Sequence, residues 1–224
     1  MQCSEITGLT IKTTMNDSIS ITVASYEAQA DEYIRNTDQL AYFPGLPAML
    51  DKFIYLLPGH KVLDVAFGAG RDTLYLIEQG LDVEGIELTQ AFINALRQKT
   101  HIPLYKMDMR RLGFTDAAFH GIWCCAAFLH LPRIDALGTL KGFARVLQPA
   151  GTLYLDLKEG EGEKWVIDSD GNVSKVARYY TYYRIEEISQ LLSKAGFEVL
   201  FTRRQEHIKP KEPYWINLIC RKST

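Results

Sequence analysis

The sequence predicts an α/β fold: a seven-stranded, mostly parallel sheet with helices on both faces, an antiparallel last strand and a small helical cap ahead of the first strand. Three observations predict it. From residue 61 onward, short apolar, β-branched runs alternate with amphipathic stretches, the pattern of β-α-β units. Several amphipathic stretches end in a helix-stopping residue, as at Gly80, Pro149 and Gly196. The last two apolar runs are separated by roughly ten polar residues that include Pro210 and Pro213, too few for a helical crossover, so these two runs pair as an antiparallel hairpin.

Taken in order, strands are expected at Lys61–Phe67, Leu81–Glu87, Ile102–Met107, Gly121–Ala126, Gly151–Leu157, Phe197–Arg203 and Trp215–Arg221. Helices are expected at Asp72–Gln79, Gln90–Lys99, Ile134–Leu147 and Glu186–Ala195. Two aromatic-rich segments stand outside the alternation. Residues 15–58, with Tyr26, Tyr33, Tyr42 and Phe43, read as an N-terminal helical cap, and residues 158–183, with Trp165, Tyr179, Tyr180, Tyr182 and Tyr183, read as an insertion. Tyr26 and Tyr33 lie seven residues apart, two helical turns, and so share a face. The glycines and mixed charges of KEGEGEK, residues 158–164, read as a mobile surface loop.

With 224 residues, 25 Lys plus Arg, 27 Asp plus Glu and 47% hydrophobic residues, the chain has the composition of one soluble domain with a real core, assigned to residues 15–224 after a polar, aperiodic leader at 1–14. A net charge of −2 offers no footprint for a phosphate backbone, which argues against nucleic acid as the main partner. The longest apolar run, Ile122–Leu129, is eight residues and cannot span a bilayer, so no membrane association is expected. Cys3, Cys124, Cys125 and Cys220 show no C-x-x-C spacing. Neither a metal site nor a disulfide framework is expected, and a reducing cytoplasm suits them. Cys124 and Cys125 are adjacent on a central strand, so at least one points into the core and burial outweighs a nucleophilic role. A monomer or homodimer is expected.

Chemistry is concentrated at the strand ends. The first strand runs into VLDVAFGAGRDT, residues 62–73, with Asp64 near its end and the small residues Ala66, Gly68 and Gly70 before a helix. Such a turn lets backbone approach a ligand, and the helix start presents free N–H groups to an anionic end. The second strand ends at Glu87, seventeen residues after Gly70, where a carboxylate can accept from both hydroxyls of a ribose. A dinucleotide fingerprint would carry a third glycine where Thr73 stands.

These motifs resemble those of the class I S-adenosylmethionine-dependent methyltransferases, in the family's order, over about residues 20–222. The resemblance implies a Rossmann-like sheet and S-adenosyl-L-methionine as cofactor, with S-adenosyl-L-homocysteine as product. It implies that Asp64, Ala66, Gly68 and Gly70 surround the methionine part, Glu87 and Leu88 the ribose, and Asp108 and Met109 of YKMDM the adenine, with Tyr26 and Tyr33 covering the cofactor. GIWCCAAFLHLP resembles the fourth strand and the lip of the active site, RVLQPAGTLYLD the helix, turn and fifth strand, and LSKAGFEVL the lead into the closing hairpin. The chain departs from the family where Ala66 and Phe67 replace Gly and Cys, and where Glu87 replaces the more usual Asp.

Methyl transfer from a sulfonium is an in-line displacement that needs alignment, exclusion of water and a deprotonated acceptor. His130, beside the expected methyl, is the candidate base or orienting residue. Phe128, Arg133, Trp165, Tyr179 and Tyr182 are the candidates to hold a small-molecule acceptor, methylated on oxygen or nitrogen. Three alternatives stay open: a chalcogen or metalloid acceptor, since GRDTLYLIEQG also looks like tellurite-resistance methyltransferases; a cofactor-binding protein without turnover; and a nucleotide-dependent oxidoreductase.

Overall fold

A computed structural model describes residues 18–168, 176–206 and 212–223; the leader at 1–14 and Cys3 lie outside them. Three helices come first, α1 (Ser18–Ala28), α2 (Ala30–Thr37) and α3 (Leu46–Tyr55). The alternating part follows as β1 (Lys61–Val65), α4 (Arg71–Glu78), β2 (Asp82–Glu87), α5 (Gln90–Arg97), β3 (Leu104–Lys106), β4 (Phe119–Cys124), α6 (Arg133–Val146) and β5 (Leu147–Lys158). The chain then forms β6 (Glu163–Asp168), β7 (Val176–Thr181), α7 (Ile185–Lys194), β8 (Phe197–Gln205) and β9 (Trp215–Lys222).

Seven strands make one sheet in the order β3-β2-β1-β4-β5-β9-β8. β1, β2, β3, β4 and β5 are parallel to one another, and β9 runs antiparallel to both β5 and β8. The reversed strand therefore sits inside the sheet, and β8 forms the edge. β1 and β4 are buried along most of their length because both faces of the sheet are covered there, whereas β3 at the edge buries only Leu104. Leu63, Val65 and Ile122 pack on one side with α6 and α7 through Leu140, Phe143, Ile188 and Leu192. Val62, Trp123 and Tyr154 pack on the other with α3 and α4 through Leu50, Phe53 and Leu76.

Element boundaries depart from expectation where local geometry decides them. β1 stops two residues early because Ala66 takes φ 57°, a left-handed conformation that ends a strand. β5 begins at Leu147, which the apolar pattern assigns to the preceding helix, because Leu147 already pairs with Phe119. The insertion is a two-stranded antiparallel hairpin, β6 with β7. KEGEGEK is accordingly no simple loop: Lys158 belongs to β5, and Glu163 and Lys164 open β6. Phe67 packs beneath the first turn in a small core with Phe92, Leu96 and Leu104. Its ring fills the space at Gly85, where a Cβ would come within 2.7 Å of Phe67 Cδ1.

Candidate active site

The turn between β1 and α4 is built on three left-handed residues, Ala66 at φ 57°, Gly68 at φ 56° and Gly70 at φ 82°. Gly70 packs against α5, since a Cβ there would lie 2.4 Å from Leu96 Cδ1. Its part is to shape the turn. At Gly68 a Cβ would meet the Tyr33 ring at an ordinary contact distance of 3.6 Å. The Gly68 N–H donates to Glu87 Oε2 at 3.1 Å, while Glu87 Oε1 accepts from the N–H groups of Leu88 at 2.7 Å and Thr89 at 2.8 Å. One carboxylate thus joins the glycine turn to the end of β2, with lone pairs to spare for a ligand. Burial raises its pKa against the pull of those N–H groups.

Asp64 accepts from the Thr73 hydroxyl at 2.6 Å. Burial, and then the neighbouring Asp72 charge, push the Asp64 carboxyl up to about 8. Thr73, standing where a dinucleotide turn needs glycine, is committed to fastening α4 onto β1. Asp72 accepts from Arg71 Nε at 2.6 Å and from the Trp123 indole at 2.9 Å, so the start of α4 is tied to β4 as well. The end of β4 repeats the strained geometry of β1, with Ala126 at φ 51°.

Two cavities open at this end of the sheet. The first is lined by Glu87, Leu88, Met107, Asp108 and Met109, under Ile19 and Val23 of α1. The second is lined by Asp64, Phe43, Arg71, Tyr154, Asp156, Asn217 and Trp215 together with Tyr180 and Tyr182 from the insertion. Tyr26, Tyr33, Ala66, Gly68, Cys125, Ala126 and His130 border both, so the cavities meet over the ends of β1 and β4, where the strand order reverses.

His130 stands at that junction on a short 3-10 turn, Phe128–His130. Its Nδ1 lies 2.7 Å from the Tyr179 carbonyl, which can only accept, so Nδ1 carries the proton. Nε2 is then an acceptor, and the Tyr26 hydroxyl donates to it at 2.9 Å. Burial lowers the His130 pKa to about 4. The imidazole is therefore neutral near pH 7, with both nitrogens engaged. Asp108 accepts from Arg110 at 2.7 Å and from the Arg110 backbone N–H at 2.9 Å.

The structure separates the expected acceptor residues. Tyr182 lines the second cavity. Phe128 does not: it is fully buried in the core beside Phe143 and Tyr183, because the 3-10 turn points it inward. Arg133 is occupied structurally, pairing with Glu187, donating to the Tyr182 carbonyl and lying 4.7 Å from the Tyr183 ring centroid. The Trp165 and Tyr179 rings pack on each other with centroids 5.3 Å apart and border neither cavity, since alternation along β6 and β7 turns them outward. What Tyr179 offers the site is its carbonyl.

Cys125, Tyr154, Asp156 and Asn217 border the second cavity but were not among the expected site residues. Cys124 is buried in the core, whereas Cys125 turns to the junction. Asp156 and Asn217 carry a readable signal, a single polar residue inside the apolar runs LYLDL and INLIC.

The cap and the insertion close over the site together. Glu27 of α1 accepts from the free N–H groups of Gln90 at 2.8 Å and Ala91 at 3.0 Å, at the start of α5. On its other side α1 bonds to β7: the Ser25 hydroxyl donates to the Ala177 carbonyl at 2.6 Å, and the Tyr179 N–H donates to the Thr22 hydroxyl at 3.0 Å. Arg178 lies over the Tyr26 ring at 4.3 Å. Among the described residues no group of His, Cys, Asp and Glu converges as a metal site, and no helix is long and apolar enough to cross a membrane.

A methyltransferase-domain family model matches residues 62–151. Methyltransferase GfsG of Streptomyces halstedii is 28% identical over 229 residues, covering 89% of this chain and 81% of that protein. A ubiquinone biosynthesis O-methyltransferase of Xanthomonas campestris is 30% identical over 105 residues, 44% of this chain and 43% of its own length. The crystal structure of a 1,6-didemethyltoxoflavin-N1-methyltransferase from Burkholderia thailandensis, with 1,6-didemethyltoxoflavin and S-adenosylhomocysteine bound, superimposes with a TM-score of 0.74 at 21% identity. That match covers 95% of this chain and 92% of the other.

Proposed function

We propose that the chain is a class I S-adenosylmethionine-dependent methyltransferase, a reading supported by the methyltransferase-domain match over residues 62–151, and that it methylates a nitrogen or oxygen atom of a small molecule held in the second cavity. The observation that carries this reading is the junction, where Gly68, Ala126 and His130 border both a nucleoside-sized slot and a larger aromatic chamber. The first cavity suits the nucleoside end. Glu87 keeps acceptor capacity beside Gly68 for ribose hydroxyls, Met107 and Met109 give apolar walls, and Asp108 lies at the adenine end. The Streptomyces halstedii and Burkholderia thailandensis proteins, which match most of this chain, are both methyltransferases, the second acting at N1 of its acceptor.

S-adenosylmethionine, when bound, supplies an electrophilic methyl group on a sulfonium. The chain's own residues do the rest. The glycine turn and Glu87 fix the donor's position, α1 and β7 exclude water, and the chamber sets the line of attack. His130, with Nε2 already accepting from Tyr26 and its basicity lowered by burial, acts as a positioning residue that closes the junction.

Calorimetry with S-adenosylmethionine and S-adenosylhomocysteine tests the reading. Both ligands are expected to bind the unmodified protein, and Glu87→Ala should weaken both by about ten- to a hundred-fold through loss of a charge-assisted bond. Absence of binding to the unmodified protein overturns it.

A further inference from the structure

We propose that Asp156, Asn217 and Tyr154 form the head that reads the acceptor, that the acceptor is a planar nitrogen heterocycle presenting adjacent N–H donors to them, and that Asp156 takes the proton from the nitrogen being methylated. This rests on the methyltransferase reading above and specifies the acceptor's chemistry.

Asp156 and Asn217 face each other across β5 and β9. Tyr154 lies two residues earlier on β5 and so on the same side of the sheet. All three border the second cavity, yet Asp156 is 9%, Asn217 4% and Tyr154 0% exposed. Asn217 Nδ2 donates to Asp156 Oδ1 at 2.8 Å, which fixes the amide orientation and leaves Asn217 Oδ1 without a partner among the described residues. The Tyr154 hydroxyl also has none among them. From the same residues Asp156 Oδ2 receives the Cys125 thiol, a weak donor at 3.8 Å.

Three oxygens with spare capacity are thus grouped at the floor of one chamber. Buried polar atoms of this kind are ordinarily satisfied, so the group has the chemistry of a binding site for donors. Two neighbouring acceptors, Asp156 Oδ2 and Asn217 Oδ1, match two adjacent N–H groups. Tyr154 adds a hydroxyl that can give or take. The chamber's walls include Phe43, Tyr180, Tyr182 and Trp215, which favour a flat ring over an aliphatic chain.

Cys125 touches Asp156 and also borders the junction, which brings the carboxylate to the place where the methyl would be delivered. Burial holds the Asp156 carboxyl up at about 7, suited to taking and releasing a proton near neutrality. In the step itself, a ring-nitrogen lone pair forms the new N–C bond as the carbon–sulfur bond of the sulfonium breaks towards sulfur, leaving a neutral thioether. The N–H proton passes to the Asp156 carboxylate and from there to solvent.

The full chain saturated with S-adenosylhomocysteine is titrated with pterin, whose ring N–H and neighbouring amino group present adjacent N–H donors, and with 3-methylpterin, which lacks the ring N–H, both followed by ring fluorescence. Pterin is expected to bind at least about ten-fold more tightly than the methylated compound. Asp156→Asn and Tyr154→Phe preserve side-chain shape; each should weaken pterin by about ten-fold or more while S-adenosylhomocysteine affinity stays within about two-fold. Equal binding of the two rings, unchanged pterin affinity in both variants, tighter binding of catechol, or no pterin binding to protein that holds S-adenosylhomocysteine overturns this inference alone. Failure to bind S-adenosylhomocysteine overturns the reading beneath it.

Discussion

The Tyr179 carbonyl decides what His130 can do. By accepting from Nδ1 it fixes the tautomer, and Tyr26 then occupies Nε2, so the imidazole is a rigid bracket between α1 and β7. The arrangement has a pH signature. The folded-state pKa is about 4 against an unfolded value near 6.5, so the unfolded chain binds more protons between those values and stability is lost as pH falls from about 6.5 to 4, by up to about 3 kcal/mol. Asp64, raised to about 8, works in the opposite sense, gaining stability as pH falls through the same range. Denaturant unfolding of the wild type and His130→Gln as a function of pH separates the two, because the variant should lose the His contribution and keep that of Asp64. The place of His130 after the fourth strand made it a candidate, and the structure sets it between the two cavities. Its tautomer was not legible, because the deciding atom is a backbone oxygen 49 residues away. Phe128 was misread for a related reason: the 3-10 turn, rather than its nearness in sequence, sets where its ring points.

Among the elements, α1 shows best where sequence pattern stops informing. Its buried face is made of Ser18, Ile19, Thr22 and Ser25, so apolar periodicity cannot reveal what it packs against. The hydroxyls are buried because β7 supplies backbone partners for Thr22 and Ser25. Its opposite anchor is Glu27, an anion at the positive end of α5. Glu27→Ala is therefore expected to cost about 0.5–1 kcal/mol of stability, to quicken amide exchange in α1, and to weaken S-adenosylhomocysteine several-fold. Thermal unfolding, hydrogen-exchange mass spectrometry and calorimetry read the three effects. The sheet strands, by contrast, were legible in number and order, and β1, β2 and β4 to within two residues at each end, since the buried positions of each hold apolar side chains such as Val62, Leu63, Val83, Ile86, Ile122 and Trp123.

For the molecule as a whole, the alternation of strands and helices specified the platform, and the short link before Trp215 specified the reversed strand. The union of the cap and the insertion into one lid was not legible, because it depends on hydroxyl-to-backbone bonds between segments distant in the chain. If α1 and β7 act as one body, S-adenosylhomocysteine should slow amide exchange in Ser18–Ala28 and Val176–Thr181 together. Protection of α1 with β7 unchanged would show that the two move apart. The bond from Ser25 to Ala177 joins residues 152 positions apart, and contacts this distant are made late in folding. During synthesis α1 leaves the ribosome first, yet Thr22 and Ser25 meet these partners only when β7 follows, after all five strands of the parallel half. A nascent chain stopped short of residue 177 holds the five parallel strands without the partner that fastens α1 over them, so lasting capture of the methyl donor waits on synthesis through β7.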